Sequence, residues 1–491
     1  MMKIQVKKLC LATAFALAST VAMAGGLTTN SNQNVSFLRQ MSQDAIIDIT
    51  GLYFNPAGTA FLQNGWHVSV NWQNAKQSRD ITTTFPYFQQ NIANPTATHK
   101  FEGEAYALVI PSVHMSYNHD KWSINASFSL GGGGGKCEFD QGLGSFEAAY
   151  SSVLAARVPA LLPTMLIPAL TQSYMANNVP EAQAAAIAAQ LAETGQYAGY
   201  DLGSYMKGRQ YYFGLSVGAT YQFLDNLAVF VGLRGVYATN NYNGYVRPSV
   251  AINVPENPAF QFPGYSTTAS LDGYGIDLNC DQTGFGVTPI IGIDYKINNH
   301  WNVAARFEAE TKLRIKNKTE QVVADVVKES AGSVLAQFED GRKVDANIPG
   351  ILSAGVQYSP IEAVRLQGGW HYYFDKAAKQ YGDKQELIDK NTQEFSAGVE
   401  WDINKYVTVS FSWQNTRYGL SDEYMNDLSF NLSNNMIGGG VRVNPVERLH
   451  IDLGYMHTLY NDRDVVSLGG LKTDTYHRSN RVFGIGINVD L

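Results

Sequence analysis

From Gly208 onward, apolar and polar side chains take turns along the chain in stretches of about ten to sixteen residues, the length of a tilted barrel strand. Tyr211, Phe213, Leu215, Val217, Ala219, Tyr221 and Phe223 alternate with Tyr212, Gly214, Ser216, Gly218, Thr220 and Gln222. Between His300 and Lys316, the residues Trp301, Val303, Ala305, Phe307, Ala309, Leu313 and Ile315 share one face. Arg306, Glu308, Glu310, Lys312 and Arg314 share the other. The last segment sets Phe483, Ile485, Ile487, Val489 and Leu491 against Gly484, Gly486, Asn488 and Asp490. A period of two marks a strand with two unlike faces. One such strand fits a soluble sandwich equally well. Many long ones, with aromatics towards the ends of the apolar face, fit lipid outside and a polar lumen inside.

The pattern predicts strands near 65–75, 104–118, 121–131, 208–223, 226–240, 281–297, 300–316, 341–358, 363–376, 391–403, 406–418, 430–443, 448–460 and 477–491. Short connections such as His119-Asp120, Leu224-Asp225, Asn298-Asn299 and Asn404-Lys405 carry the residues that tight turns require. They alternate with long ones, the longest being 132–207. The predicted fold class is all-β transmembrane: a 14-stranded antiparallel outer-membrane β-barrel with short helices in its outer loops. Two strands depart from the pattern. The outward set of the second switches across Pro111, which predicts a bulge. The third ends in Gly131, Gly132, Gly133, Gly134 and Gly135, a run that weakens pairing and reads either as a flexible loop entry or as a defect in the wall.

Composition supports an exported chain. Residues 1–24 carry Lys3, Lys7 and Lys8, an apolar run from Leu9 to Leu17, and Ala22-Met23-Ala24, which together predict a signal peptide. Loss of those three lysines takes the formal charge from −7 to −10. Charged residues are 16% of the chain and mean hydropathy is −0.17. The longest apolar run, Ala160 to Leu170, is broken by Pro163, Thr164 and Pro168, so a helical membrane protein is not expected. The acidic balance argues against a nucleic-acid partner.

Residues 25–64 precede the first strand, with Val35, Phe37, Leu38, Met41, Ala45 and Ile49 at roughly helical spacing. A barrel of this width leaves room inside, and so apolar a segment is predicted to fold back as a hatch rather than trail as a tail. It ends in Asn55, Pro56, Ala57 and Gly58. At this motif, at Gly286 to Tyr295, at Ile348-Pro349-Gly350 and at the closing strand, the chain resembles the FadL-type outer-membrane long-chain fatty acid transporters. The resemblance implies a hatch, a hydrophobic ligand site near Gly25, Gly26 and Leu27, and a kinked third strand opening the wall at Gly131 to Gly135. It implies passive transport of a fatty acid or hydrocarbon by a monomer that sits in outer-membrane lipid, is inserted by the barrel-assembly machinery and needs no cofactor. The chain departs from outer-membrane barrels in ending in Leu491, where Phe is common.

A carboxylate cargo needs a cation. Arg234, Arg306 and Arg365 are candidates, with Phe37 as an apolar contact, although Glu308, Glu310, Glu394, Glu400 and Asp452 make lumenal ion pairs or hatch contacts the commoner fate of such arginines. In the 132–207 connection, Val153 to Leu170 and the Ala-rich 182–192 predict one or two short helices, either a capture groove or a packed cap. Gly214 to Gly218 matches a hydrolase elbow but lies mid-strand, and Gly131 to Lys136 fails as a phosphate loop. No catalytic or metal motif is found. Scattered His67, His114, His371 and His450 keep a lipid hydrolase in view as a rival, beside a general porin or adhesin. Cys137 and Cys280 flank outer loops and are either a disulfide or free thiols.

Overall fold

The computed structural model describes residues 28–29, 33–271, 274–323 and 336–491. The predicted signal peptide and Gly25, Gly26 and Leu27 lie outside them. Eighteen hydrogen-bonded segments form one sheet. Three staves are each interrupted once and one short segment is an annex, so the wall has fourteen staves. They are β1 (Gly65–Thr84), β2 (Thr98–His119), β3 (Trp122–Phe139), β4 (Gln196–Leu224), β5 (Leu227–Val254) and β6 (Ile276–Lys296). β7 is Trp301–Glu308 resuming at Arg314–Val323, and β8 is Lys343–Asp345 followed by Ile351–Ile361. β9 (Val364–Tyr373), β10 (Ile388–Asn404), β11 (Val407–Leu420) and β12 (Asn434–Val446) follow. β13 is Leu449–Tyr460 resuming at Arg463–Ser467, and β14 is Lys472–Asp490. Neighbours run antiparallel, and β14 returns to β1 from His67 opposite Asp490 to Thr84 opposite Thr473, which closes the barrel. The annex, Tyr265–Ser270, pairs with the outer end of β5.

Burial in the wall is inverted relative to a soluble protein. Ser69, Asn71, Gln73, His114, Ser116 and Asn125 point inward and are buried. Val70, Trp72, Met115, Tyr117, Ile124 and Phe128 alternate with them and are exposed. So much apolar surface is stable only against lipid. Ring pairs Trp66–Tyr117, Trp122–Tyr221 and Trp301–Tyr358, with centroids 4.9, 4.5 and 4.3 Å apart, mark one interface beside the short turns.

Several predicted details need correction. The staves on the N-terminal side are longer than expected: β4 begins at Gln196, not 208, and β5 runs to Val254, not 240. About ten residues cross a bilayer, so the remainder rises above the lipid as a paired ribbon with both faces half covered, where alternation fades. In β7 the chain leaves the ladder at Ala309 to Leu313; Leu313 at the end of the break and Ile315 beyond it are buried inside, not on the lipid face with Trp301 and Phe307. The irregularity in β2 falls at Leu108 and Val109, between the pairs Gln73–Ile110 and Ala75–Ala107, a little before Pro111.

The outer helices also differ from expectation. α2 (Gly144–Ala176) is one helix of 33 residues that runs through Pro159, Pro163 and Pro168, and by length and composition it is apolar enough to cross a membrane. The prolines lie off the buried stripe Leu154, Val158, Leu162, Leu166 and Leu170, on the more exposed side of the helix. That stripe packs on α3 (Glu181–Ala192) and on Tyr200, Val250, Ile252 and Val254 of the raised ribbon. It is therefore a packed cap. Its foot is held by Glu147, whose carboxylate accepts from Asn91 (2.7 Å), Tyr200 (2.9 Å) and His99 (2.8 Å).

His99 lies at the outer end of β2, above the lipid belt. Burial opposes its charge, but the hydrogen bond and charge of Glu147 outweigh burial and raise its pKa above 6.5. A raised pKa stabilises the folded form below the ordinary value and loses that contribution as pH climbs through the raised one. Protease cleavage within α2 should therefore be faster at about pH 9 than at about pH 6, and His99→Gln should flatten that difference.

Candidate functional site

Residues 33–64 fill the lower lumen as a hatch. Asn34 caps α1 (Val35–Arg39) by accepting from the Phe37 amide at 2.8 Å, and Asp48 accepts from Thr50 at the start of the next turn. Asn55 caps the 3-10 turn Pro56–Phe61, accepting from Gly58 at 3.2 Å, with proline at its first position. The Asn55 amide nitrogen donates to Asp294 on β6, which also accepts from Asn302 at 3.0 Å. Ala57 is buried on Phe230 and Ile290, and a Cβ on Gly58 would stand 2.6 Å from the Asn55 amide. The Asn-Pro-Ala-Gly motif and the Ile293-Asp294-Tyr295 segment are thus two sides of one joint between hatch and wall.

Glycine and charge hold the rest. α1 lies so close to β12, β13 and β14 that a Cβ on Gly438 would stand 2.3 Å from the Leu38 carbonyl oxygen. One on Gly454 would stand 2.8 Å from Leu38 Cβ and 2.9 Å from the Val35 carbonyl oxygen. Arg39 donates to Asp452 at 2.8 Å and to Glu400, and Arg442 bridges Asp452 (2.8 Å) and Asp48 (2.7 Å). His371 lies between Asp44 (2.9 Å) and Glu394 (3.0 Å).

The arginines named from sequence belong to this same network. Arg234 makes a two-pronged pair with Glu308 at 2.6 and 2.9 Å and lies over the Tyr53 ring. Arg306 is 3.3 Å from Glu308 and donates to the Tyr53 carbonyl. Arg365 holds Asp402 at 2.6 Å and Glu400 at 3.3 Å. Phe37 stacks on Phe54 at 5.5 Å inside the hatch core. His114 meets the Ser127 hydroxyl at 2.8 Å with no carboxylate on its other nitrogen, so the orienting group of a hydrolase is missing there among the described residues.

Above the hatch, a second apolar core of Ile81, Phe85, Phe88, Phe139, Phe430 and Tyr476 caps the outer mouth. Between the two lies a cavity of roughly 280 Å³. Its floor includes Ala75, Ala107, Ile110 and Val482; its roof includes Tyr418 and Tyr460; Thr28, Thr29 and Gln33 line its hatch side. Gly131, Gly132, Gly133 and Gly135 line the remaining side. There the wall is unzipped: β2 and β3 pair at Val113–Phe128 and again at Ala105–Cys137, but not between. β3 keeps its other neighbour, β4, through a bulged register at Gly132 and Gly135, and Gly133 and Gly135 have φ of +105° and +70°, which glycine alone adopts cheaply. The run lies within β3, which continues to Phe139, beside the stretch where β2 and β3 are not paired.

Two lumenal arginines were missed from sequence. Arg79 on β1 and Arg478 on β14 stand directly opposite each other and line the cavity. The predicted first strand stopped at residue 75, and a cross-strand pair is not visible along one chain. Cys137 and Cys280 are both free. They sit on staves three places apart, about 14 Å along the wall, too far for a disulfide; Cys280 instead accepts from the Thr319 hydroxyl at 3.1 Å.

No family model and no curated protein sequence matches this chain. Among solved structures it is similar to a FadL homologue of Pseudomonas aeruginosa, at 12% identity over 95% of this chain and 99% of that one, with a TM-score of 0.60. It is also similar to the toluene transporter TodX of P. putida (12% identity, 97% and 99% covered, TM-score 0.53). A third likeness is to the toluene transporter TbuX of Ralstonia pickettii (13% identity, 94% and 98% covered, TM-score 0.52). The chain has the FadL-type barrel fold.

Asn55→Ala removes a buried donor from Asp294 and a cap from the hatch, and should cost about 1–3 kcal/mol, read as a lower unfolding temperature in detergent. Gly454→Val forces the hatch off the wall and should lower it further, with increased ion conductance in planar bilayers.

Proposed function

We propose that this chain is an outer-membrane channel that carries hydrophobic small molecules inward without an energy source. Cargo enters from the outer loops, rests in the cavity between hatch and outer core, and leaves sideways through the gap between β2 and β3. The single observation that carries this reading is the coincidence of cavity and gap: where β2 and β3 part between the pairs Ala105–Cys137 and Val113–Phe128, the lumen holds a void. A molecule leaving there meets the lipid-facing residues Tyr106, Leu108 and Val109 directly, and each methylene that passes from water into apolar surroundings gains about 0.8 kcal/mol. The hatch below and the apolar core above argue against a general water-filled pore. The solved structures of like fold include proteins titled as a FadL homologue and as toluene transporters, which supports hydrophobic cargo, whether a fatty acid or an aromatic hydrocarbon.

Ala107→Trp sets a bulky ring in the mouth of the gap. Uptake of a labelled fatty acid or of toluene by cells expressing this variant should fall at least about tenfold, while the barrel still shifts on heating in gels as a folded wall does. Unchanged uptake by the folded variant would overturn the sideways route.

A further inference from the structure

The break in β7 that turns Leu313 and Ile315 into the lumen turns their neighbours the other way. Lys312, Arg314, Lys316 and Lys318 alternate with buried Thr311, Leu313, Ile315 and Asn317 and are exposed on the outer face of the wall. Without the break they would continue the lumenal set of Arg306 and Glu308. Lys343 of β8 is exposed on the same face, directly opposite Lys316 and about 5 Å away across the ladder. Like charges so placed repel. Asp345 holds Arg314 at 3.1 Å and lies 3.7 Å from Lys379. Asp281 stands opposite Lys318 in the register. Among the described residues, Lys312, Lys316, Lys318 and Lys343 have no carboxylate within ion-pair distance. In a chain of formal charge −7 this is a local excess of cation. Its height is informative. The Trp301–Tyr358 ring pair marks the inner interface, and on a strand tilted by about 40° Lys312 stands roughly 28 Å above Trp301, just past an apolar band about 25 Å tall.

Below these cations, on the lipid side, lies a groove of roughly 580 Å³ walled by Val231, Leu233, Pro289, Ile291, Phe307 and Ala309. Gly218 and Gly232 leave its floor bare. Its apolar surface continues upward through exposed Val287 and Phe285 of β6. There the β6 backbone runs beside the charged stretch of β7: a Cβ on Gly286 would stand 2.8 Å from the Lys312 carbonyl oxygen, and one on Gly284 2.9 Å from that of Arg314. Groove and cations are therefore one continuous surface.

We propose that this arc of the outer face binds a phosphorylated, multiply acylated glycolipid of the outer leaflet, with its phosphates on Lys312, Lys316 and Lys343 and one acyl chain in the groove. A phosphate between Lys316 and Lys343 replaces their repulsion with charge-assisted hydrogen bonds. The stripe from Lys312 to Lys318 is about 20 Å long, which matches a tall head with more than one phosphate better than a single phosphodiester. β4, β5 and β6 separate this site from the gap between β2 and β3. The inference rests on the barrel and its place in the outer membrane, and it is independent of the cargo and its route.

The test is binding to the purified full-length protein in detergent, titrated by native mass spectrometry with bisphosphorylated lipid A, the same lipid dephosphorylated, dioleoyl phosphatidylglycerol and inorganic pyrophosphate. Bisphosphorylated lipid A should bind one to one, at least about tenfold more tightly than any of the others. In the variant Lys312→Gln/Lys316→Gln/Lys343→Gln its advantage over the dephosphorylated lipid should vanish. Those side chains are exposed and unpaired, so the barrel should keep its shift on heating in gels. Lys100→Gln/Lys207→Gln removes outer-end cations that do have carboxylate partners, Glu102 and Glu138, and should leave the advantage intact. Val231→Trp fills the groove and should weaken lipid A by at least about fourfold, the worth of one methylene, without changing pyrophosphate binding. Equal affinity for the phosphorylated and dephosphorylated lipid in the unaltered protein would overturn the assignment. So would an advantage that survives the glutamine triple or is lost equally in Lys100→Gln/Lys207→Gln, and so would pyrophosphate or phosphatidylglycerol binding as tightly as lipid A.

Discussion

Everything in this molecule follows from the cost of an unpaired backbone amide in hydrocarbon. Lipid offers no hydrogen bond, so each stave must be matched on both sides and the sheet must return to its beginning. Closure of β14 on β1 meets that demand. It also forces the inverted burial, with apolar side chains on the outside and polar ones within, because a closed wall has one face in lipid and one in a wet lumen. A lumen lined by serine, asparagine and ion pairs then attracts a polar hatch surface, and the hatch keeps its own apolar cluster around Phe37, Met41 and Phe54.

The hatch is seated by subtraction as much as by attraction. Where α1 lies against β12 to β14, the wall presents Gly438, Gly440, Gly454 and Gly484, and any side chain there would collide with the helix. Along the strands these glycines read simply as the polar-face half of the alternation. Only the packed structure shows them as a recess shaped to a helix of five residues. The network of Arg39, Arg442, Asp48 and Asp452 then fixes the hatch's orientation, and buried pairs of this kind specify geometry more reliably than they add stability.

Alternation made the staves near the short turns legible, because one face there meets lipid and the other does not. It failed wherever that contrast disappears. The raised parts of β4 and β5 are flanked by helices, so Tyr200 and Val250 look like core residues and not like wall. In β7 a break reverses the face of Leu313 and Ile315, and nothing in the residue types marks the reversal. The hatch motif and the glycine run were visible as motifs, but the partner of Asn55 on β6 was not. Arg79 and Arg478 were invisible for a related reason: their meaning lies in a register between the first stave and the last, separated by almost the whole chain.

The unzipped stretch has a consequence for the membrane around it. From Tyr106 to Ser112, β2 has lost its ladder on the β3 side, so its amides and carbonyls on that edge need other partners. Trp72 and Asn74, on the outer face of β1, already donate to the Leu108 carbonyl, at 3.1 and 3.4 Å. Groups left over have only water or lipid head groups to pair with. The seam is thus an arc of the wall whose backbone depends on its surroundings for hydrogen bonds that neighbouring staves supply to each other elsewhere.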